Sequence, residues 1–347
     1  SSDTKYFVSR LYTEDKIMYD KTKKCISGGK NRTQKKFHTF IPTSIEKSNI
    51  CKILNPITDD KLVKDYIDLR KMACKGVINA SAYSRLGNSI VDRFTFKERL
   101  HTKGNQDIDF YTFWKNRNYY RTVPYIKKML QFYDTRNIEE IRKFKYIFNL
   151  YFSSISIFRP IVAMELYCKI NAKRVLDFTM GWGGRLVGAH ALRLESYIGI
   201  DTNTNLKQPY KNMLTFLREQ EGNTDTPMDI QLYFQDAVQF DYSSIQYDTV
   251  FTSPPYYDLE VYRKKKYGNE SFQDKEEWHQ QFYFPLFTET YKYLQYGGHF
   301  CLNVPEEIYQ NACIPILGKC KIKMPLKKKQ RSDKNQYKEF IYIWQKQ

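Results

Sequence analysis

The sequence predicts an α/β protein in which a mostly parallel sheet occupies the C-terminal half and a basic, mainly helical region precedes it. Three observations predict this class. Apolar residues recur at helical spacing up to about residue 150. After Asn171, short apolar runs alternate with segments of about 10 to 20 residues, which is typical of crossover units on a parallel sheet. The positive charge is concentrated in residues 1–150, which hold 31 Lys and Arg against 16 Asp and Glu.

Residues 1–150 are expected to form the first domain. The 347-residue chain has a net charge of +18, yet residues 151–347 hold 25 Lys and Arg against 22 Asp and Glu. A surplus confined to one region is typical of a polyanion-binding surface, although a solvated Lys-rich surface has the same composition. Aromatic and basic residues interleave over residues 110–121. That mixture suits phosphate contacts and base stacking, and equally suits a helix whose aromatic side is buried.

Residues 151–347 are expected to form the second domain. The predicted strands are the apolar runs at 174–178, 197–200, 230–234, 248–252, 299–304 and 340–344. A glycine-rich turn follows the first of them, where residues 178–184 read Phe-Thr-Met-Gly-Trp-Gly-Gly and lead into a predicted helix. Glycines let backbone N–H groups approach a ligand closely, and a helix N-terminus attracts negative charge.

Acidic residues follow the second and third predicted strands. Asp201 closes the second, where a carboxylate accepts hydrogen bonds from both hydroxyl groups of a ribose. Asp236 follows the third, where its side chain could meet an adenine amino group. The alternative is that each carboxylate only caps the end of its strand. A nicotinamide oxidoreductase also fits a glycine turn with these acids.

The segment of residues 253–256, Ser-Pro-Pro-Tyr, follows the fourth predicted strand, about 70 residues after the glycine turn. Two consecutive prolines cannot continue a central strand, so the chain leaves the sheet there in a rigid extended turn. This turn lies at the carboxyl edge of the strands, where ligands bind in open α/β sheets. A nicotinamide oxidoreductase would leave this segment without a role.

On these two motifs the chain resembles the S-adenosylmethionine-dependent DNA amino-methyltransferases of bacterial and viral type. The resemblance covers about residues 155–347, including Phe158 beside the expected methionine end of the cofactor and the turn at residues 297–298. It implies a Rossmann-like class I methyltransferase fold with a seven-stranded sheet and S-adenosyl-L-methionine as the cofactor. The cofactor-binding residues that it implies are Phe158, Asp177, Phe178, Thr179, Gly181, Gly183, Asp201, Asp236 and Ser253.

The catalytic residues implied are Ser253, Pro254, Pro255 and Tyr256. An aryl amine is a poor nucleophile because its lone pair is conjugated into the ring. The Ser253 hydroxyl and the Pro254 carbonyl can accept its hydrogens and draw the nitrogen toward tetrahedral geometry. The target base must leave the duplex, and Tyr256 is placed to stack on it. Neither a metal nor a covalent enzyme intermediate is expected.

The resemblance implies duplex DNA as the partner, and Ser253 favours cytosine N4 over adenine N6 as the target. Two alternatives remain: an RNA base amino-methyltransferase, and a catalytically silent nucleic-acid-binding subunit of a methyltransferase complex. Only 16 residues separate Asp236 from Ser253, so target recognition is expected from residues 1–150 and from the loop after Tyr256. Restriction–modification and regulation are both compatible roles.

Residues 91–104 are predicted to form a strand or turn with alternating basic residues, and a second basic run covers residues 321–338. The candidate DNA contacts are Arg93, Lys97, Arg99, Lys103, Arg263, Lys264 and Lys265. The seven cysteines form no CxxC pair, and neither a signal peptide nor a membrane-spanning stretch is recognised. A reduced intracellular protein without structural zinc is therefore expected. Its oligomeric state is left open between a monomer and a homodimer.

Overall fold

The computed structural model describes residues 42–73, 78–104, 107–153, 155–222, 226–255, 275–326 and 339–347. The contacts within the chain divide it into two units. The first unit contains the described residues of 42–56 and 99–155. The second contains those of 57–98, 156–326 and 339–347. Residues 57–98 therefore group with the sheet, which differs from the division predicted at residue 150.

The first unit is helical where it is described, as the basic N-terminal region was predicted to be. Thr43 begins its first helix with a capping box, because the Thr43 hydroxyl accepts the Glu46 N–H while the Glu46 carboxylate accepts the Thr43 N–H. The helix Glu140–Tyr151 agrees with the helical spacing predicted up to about residue 150. The helices of this unit are Ser44–Leu54, Phe110–Lys115, Arg117–Tyr120, Pro124–Asp134, Glu140–Tyr151 and the last residues of Asn88–His101.

Aromatic side chains form the core of the first unit. Phe113 is fully buried, and its ring centroid lies 5.4 Å from that of Phe148 and 4.9 Å from that of Phe152. Phe110 and Tyr111 are also buried. The mixed aromatic and basic stretch at 110–121 thus contains a helix whose aromatic side is buried, so these three rings stabilise the unit and are not available for base stacking.

The second unit is built on a seven-stranded sheet with the order β3-β2-β1-β4-β5-β7-β6. All neighbouring strands are parallel except β7, which is antiparallel to both β5 and β6. This topology confirms the predicted α/β class with a mostly parallel, Rossmann-like sheet of seven strands. The strands are β1 Arg174–Asp177, β2 Ser196–Ile200, β3 Asp229–Tyr233, β4 Thr249–Thr252, β5 His299–Val304, β6 Ile322–Pro325 and β7 Phe340–Gln345.

The edge strand β6 was missed because it lies inside the predicted basic run at 321–338. Lys323 extends from this strand with its ammonium group 5.0 Å from the centre of the Tyr342 ring on β7. Lysine is common on edge strands, where its charge opposes pairing with another chain. Because the surrounding sequence is rich in Lys, β6 was interpreted as part of a polar basic run and was not predicted as a strand. Residues 327–338 of the run lie outside the described residues.

Helices cover the sheet of the second unit on both faces, in keeping with two separate buried clusters of apolar side chains. A π-helical turn interrupts the helical segment before β5 and another follows β5. The α-helices are Asp59–Ala73, Asn88–His101 up to Glu98, Pro160–Lys169, Gly184–Leu192, Lys207–Glu219, Lys275–Trp278, Phe284–Lys292, Glu306–Ile308 and Ile314–Leu317, and the π-turns are His279–Tyr283 and Tyr309–Cys313.

The strand or turn predicted at residues 91–104 is wrong, because most of this segment belongs to the helix Asn88–His101. The Thr95 hydroxyl donates to the Val91 carbonyl one turn earlier, as a helix allows. Arg93 and Lys97 are four residues apart within this helix, whereas Lys103 lies beyond its end at His101. A spacing of four fits one face of a helix and also one face of a strand, so the basic pattern alone does not distinguish the two.

The helix Asp59–Ala73 contacts the helix Gly184–Leu192, which also belongs to the second unit, through buried polar side chains. The Tyr66 hydroxyl lies 2.7 Å from Nδ1 of His190, and Nε2 of His190 lies 3.1 Å from the Glu221 carboxylate. The carboxylate accepts, so Nε2 carries the hydrogen and Nδ1 accepts from Tyr66. Charge composition carries no information about such packing. For this reason it predicted a boundary at residue 150, whereas residues 57–98 group with the second unit.

Within the ranges that the structure describes, no helix combines the length and the apolar character needed to span a membrane.

Candidate active site

A cavity of about 330 Å³ lies in the second unit at the carboxyl ends of the parallel strands. It lies where β1 and β4 are neighbours and the strand order reverses, the usual ligand position in an open α/β sheet. Its walls bring the glycine turn and the diproline turn together. The predicted site residues that line it are Phe158, Phe178, Thr179, Gly181, Asp201, Ser253 and Pro255.

The glycine turn is held in a backbone conformation that only glycine adopts readily. Gly181 and Gly183 have φ angles of 57° and 89°. The Gly181 N–H donates to Asp201 Oδ2 at 3.0 Å, and the Tyr210 hydroxyl donates to the Gly181 carbonyl at 2.9 Å. The turn is therefore fixed from both sides by residues of the protein itself.

Gly184 lets the next helix approach the chain segment around Phe158. A Cβ atom on Gly184 would lie 1.8 Å from the Phe158 carbonyl oxygen, far inside contact distance. The Phe158 ring packs edge-on against Phe251 of β4, with centroids 5.3 Å apart. The third glycine of the turn thus positions Phe158 as a wall of the cavity.

Asp201 retains acceptor capacity toward the cavity. Its Oδ1 accepts the Asn203 N–H at 2.8 Å and its Oδ2 accepts the Gly181 N–H. A carboxylate has about four acceptor positions, so these two bonds leave room for hydroxyl donors of a ligand. Burial raises the pKa of Asp201 above its usual value, although the two backbone hydrogen bonds act in the opposite direction.

Asp177 differs from its predicted role as a direct cofactor ligand. Its carboxylate is fully buried and accepts from Arg185 at 2.7 and 3.1 Å, from the Tyr197 hydroxyl at 2.6 Å and from the Thr252 hydroxyl at 2.7 Å. It does not belong to the described walls of the cavity. These bonds join β1 to β2, to β4 and to the helix after the glycine turn. Asp177 therefore holds the base of the site together.

Asp236, Gly183 and Pro254 lie beside the described walls and are not part of them. Oδ1 of Asp236 accepts the Val238 N–H at 3.0 Å and so caps a short 3₁₀ helix, the alternative that the sequence left open. Its neighbours Gln235 and Ala237 line the cavity instead. Among the described walls, contact with an adenine ring at this strand end would come from these neighbours.

The diproline turn is held by two side chains that the sequence did not indicate. Ser253 Oγ lies 3.3 Å from both Oδ1 and the backbone oxygen of Asn303 on β5. The Tyr283 hydroxyl donates to the Pro255 carbonyl at 2.6 Å. Tyr256 lies outside the described residues, as do Arg263, Lys264 and Lys265.

Aromatic side chains were also missed at the cavity wall. Trp278 and Phe282 line it, and both lie at or within the π-helical turn His279–Tyr283. π-turns occur often at functional sites, but nothing in the sequence marks this one. Asn303, a polar residue near the end of β5 where the strand is otherwise apolar, was a signal that was present and not used.

The candidate DNA contacts that are described divide between the two units. Arg93 and Lys97 lie in the second unit, and Arg93 there donates to the Ile57 carbonyl and pairs with Asp59, each at 2.8 Å. Arg99 and Lys103 lie in the first unit. Arg93 is thus already used to join two helical segments of its unit, which weakens its candidacy as a DNA contact.

No protein-family model and no curated protein matches this chain. It is similar to solved structures of an rRNA methylase from Streptococcus thermophilus (12% identity, 55% of this chain, 99% of that chain, TM-score 0.35) and of a putative RNA methyltransferase from Pyrococcus horikoshii (14%, 54%, 82%, 0.35). A third is a putative methyltransferase from Streptococcus mutans in complex with SAH (14%, 54%, 98%, 0.33). Similarities this low assign no activity, so the functional conclusions rest on the cavity itself.

Proposed function

We propose that this protein transfers a methyl group from S-adenosyl-L-methionine to the exocyclic amine of a nucleic-acid base. One observation carries the proposal: the fixed glycine turn with Asp201 and the diproline turn with Ser253 line the same cavity of about 330 Å³. That volume is within the range of small-molecule sites, about 300–1,000 Å³. A cofactor-binding half and an amine-binding half are thereby brought within reach of each other.

The residues present fit the cofactor. Asp201 offers carboxylate oxygens for the ribose hydroxyls, and the backbone around Gly181 and the Phe158 ring supply close walls. When bound, S-adenosylmethionine supplies a sulfonium methyl group, so that an N–C bond forms, the S–C bond breaks with its electron pair kept by sulfur, and one amine proton is released.

The protein contributes position rather than a nucleophile of its own. Ser253 Oγ, on the cavity wall, accepts one hydrogen of the amine. The carbonyl oxygen of Pro254, which lies beside the described walls, is proposed as the acceptor of the other, and the two together favour the tetrahedral nitrogen of the transition state. The nitrogen becomes strongly acidic as it is methylated, and its extra proton passes to water. Trp278 and Phe282 line the same cavity as Pro255, and aromatic walls of this kind suit the packing of a flat base.

Duplex DNA is the substrate we favour, with cytosine N4 ahead of adenine N6. The basic surplus of residues 1–150 and the serine at position 253 support this choice. In this proposal the target base is flipped out of the duplex, and Tyr256 stacks on it. Lys97, Arg99, Lys103 and the basic residues 263–265 remain candidate phosphate contacts.

The test is methyl transfer from labelled cofactor to duplex DNA, single-stranded DNA and structured RNA in parallel, followed by identification of the modified base. We expect label in duplex DNA as N4-methylcytosine. Label only in RNA would replace the DNA proposal by the RNA alternative. The absence of label from every nucleic acid would refute the proposal, provided that the preparation binds S-adenosylhomocysteine.

A further inference from the structure

Asn303 is a buried amide in a strand that is otherwise apolar near its end. It is 4% exposed, and it lines the cavity from β5. Its Nδ2 lies 3.1 Å from the backbone carbonyl of Phe340 on β7. Only the nitrogen of an amide can donate to a carbonyl, so this bond determines which way the amide points. The other end of the amide, Oδ1, is an acceptor and faces Ser253 at 3.3 Å.

This geometry determines the polarity of the Ser253 hydroxyl. Both atoms of Asn303 near Ser253 Oγ, namely Oδ1 and the backbone oxygen, can only accept a hydrogen bond. When the single hydroxyl hydrogen is directed to either of these acceptors on β5, Ser253 Oγ presents lone pairs, and these take a donor as partner.

We infer that Asn303 is a positioning residue that makes Ser253 an acceptor and so selects bases carrying an amine over bases carrying a carbonyl. This inference rests on the proposed function. An exocyclic amine has hydrogens to donate to Ser253 Oγ, whereas the carbonyl of uracil, or of hypoxanthine, would meet an acceptor. A buried site rejects a group that leaves its polar atoms unpaired.

The experiment compares binding of two oligonucleotides in the presence of S-adenosylhomocysteine, so that no transfer occurs. One carries the amino base that the transfer assay identifies, and the other carries its carbonyl counterpart at the same position. Asn303→Ala removes Oδ1 and leaves the backbone oxygen of residue 303 as the acceptor on β5, so the Ser253 hydroxyl is held by one contact in place of two and rotates more easily to donate to a base. We expect the preference for the amino base to fall about threefold, the lower end of one lost hydrogen-bond contribution. Affinity for S-adenosylhomocysteine should stay within about twofold.

Three further variants separate this role from a structural one. Asn303→Asp keeps an acceptor opposite Ser253 and should keep the preference. Ile341→Val changes a buried residue that faces Asn303 in the register of β5 and β7, and it should leave the preference unchanged. In the Ser253→Ala background, Asn303→Ala should have less than about a twofold effect on transfer, because the hydroxyl that it orients is gone.

Independent effects of Ser253→Ala and Asn303→Ala on transfer would overturn the inference, and so would an unchanged preference in Asn303→Ala. Loss of the preference in Asn303→Asp would also overturn it, and this variant serves if Asn303→Ala does not fold. In all these cases the wild-type protein still transfers methyl groups. A wild-type protein that binds S-adenosylhomocysteine but modifies no nucleic acid would instead refute the proposed function itself.

Discussion

The two halves of the cavity are held in different ways. On the cofactor side, the glycine turn is fixed by Asp201 and Tyr210, which lie within about 30 residues of it along the chain. On the amine side, the diproline turn is held by Asn303 and Tyr283, which reach it from β5 and from the π-turn. Tyr283 is about as close along the chain to the diproline turn as Tyr210 is to the glycine turn. The difference therefore lies in Asn303, which reaches Ser253 from the neighbouring strand β5, about 50 residues further along the chain.

The largest expected effect is a loss of folding stability when Asp177, at the end of β1 before the glycine turn, is replaced. Asp177→Ala leaves the Arg185 guanidinium buried without the carboxylate that it contacts at 2.7 Å. Removing one partner of a buried ion pair typically costs about 3–5 kcal/mol. We expect the free energy of unfolding in urea to fall by that amount. Asp241→Ala removes only an exposed cap on Ser243 and should cost far less. Equal losses of stability in the two variants would contradict the conclusion that the buried Asp177 carboxylate holds the base of the site together.

The second largest expected effect is a loss of folding stability at acid pH. Burial lowers the pKa of His190, which lies on the helix after the glycine turn, to about 4. The unfolded chain binds a proton near pH 6.5 while the folded protein does not, so stability is complete above that pH and falls as the pH drops toward 4. The loss reaches at most about 3 kcal/mol.

Urea unfolding at several pH values measures this effect. His190→Gln does not titrate but can still accept from Tyr66 and donate to Glu221. The difference in unfolding free energy between wild type and this variant should therefore change between pH 6.5 and pH 4. A difference that is constant over this interval would contradict the role of His190.

The smallest effect tests the amine side. Tyr283→Phe removes the hydroxyl that donates to the Pro255 carbonyl, and one such bond is worth about 0.5–1.5 kcal/mol. Tyr247→Phe is a matched control, because the buried Tyr247 hydroxyl donates to the Thr290 carbonyl away from the turn. We expect similar losses of stability, but slower methyl transfer only in Tyr283→Phe. Equal transfer rates in the two variants would show that Tyr283 does not position the turn.

The same difference explains what could be predicted from the sequence. The glycine turn and Asp201 were found because glycine conformation and strand-end position are local properties. Asn303 and Tyr283 were missed because their roles depend on which strand lies beside β4 and on a π-turn. Asp177 was included among the cofactor-binding residues through the family resemblance, and nothing local in the sequence indicates that Arg185 contacts its carboxylate.

The division of the chain shows a similar limit. Charge predicted one basic region up to residue 150, but residues 57–98 belong to the sheet unit through packing such as the Tyr66–His190 contact. Composition describes what a surface can attract, whereas burial decides which residues group together. The mostly parallel character of the sheet followed more directly, since short apolar runs alternate with crossover segments along the chain.

The most direct test of a shared cavity is a pair of reciprocal variants, Asp201→Asn and Ser253→Ala. Cofactor affinity is measured by calorimetry, and the rate of methyl transfer is measured at saturating cofactor. We expect Asp201→Asn to weaken cofactor binding with little change in the saturated rate, and Ser253→Ala to slow transfer about a hundredfold with cofactor binding preserved. A Ser253→Ala protein that transfers methyl groups at the wild-type rate would show that the amine is not bound at the diproline turn.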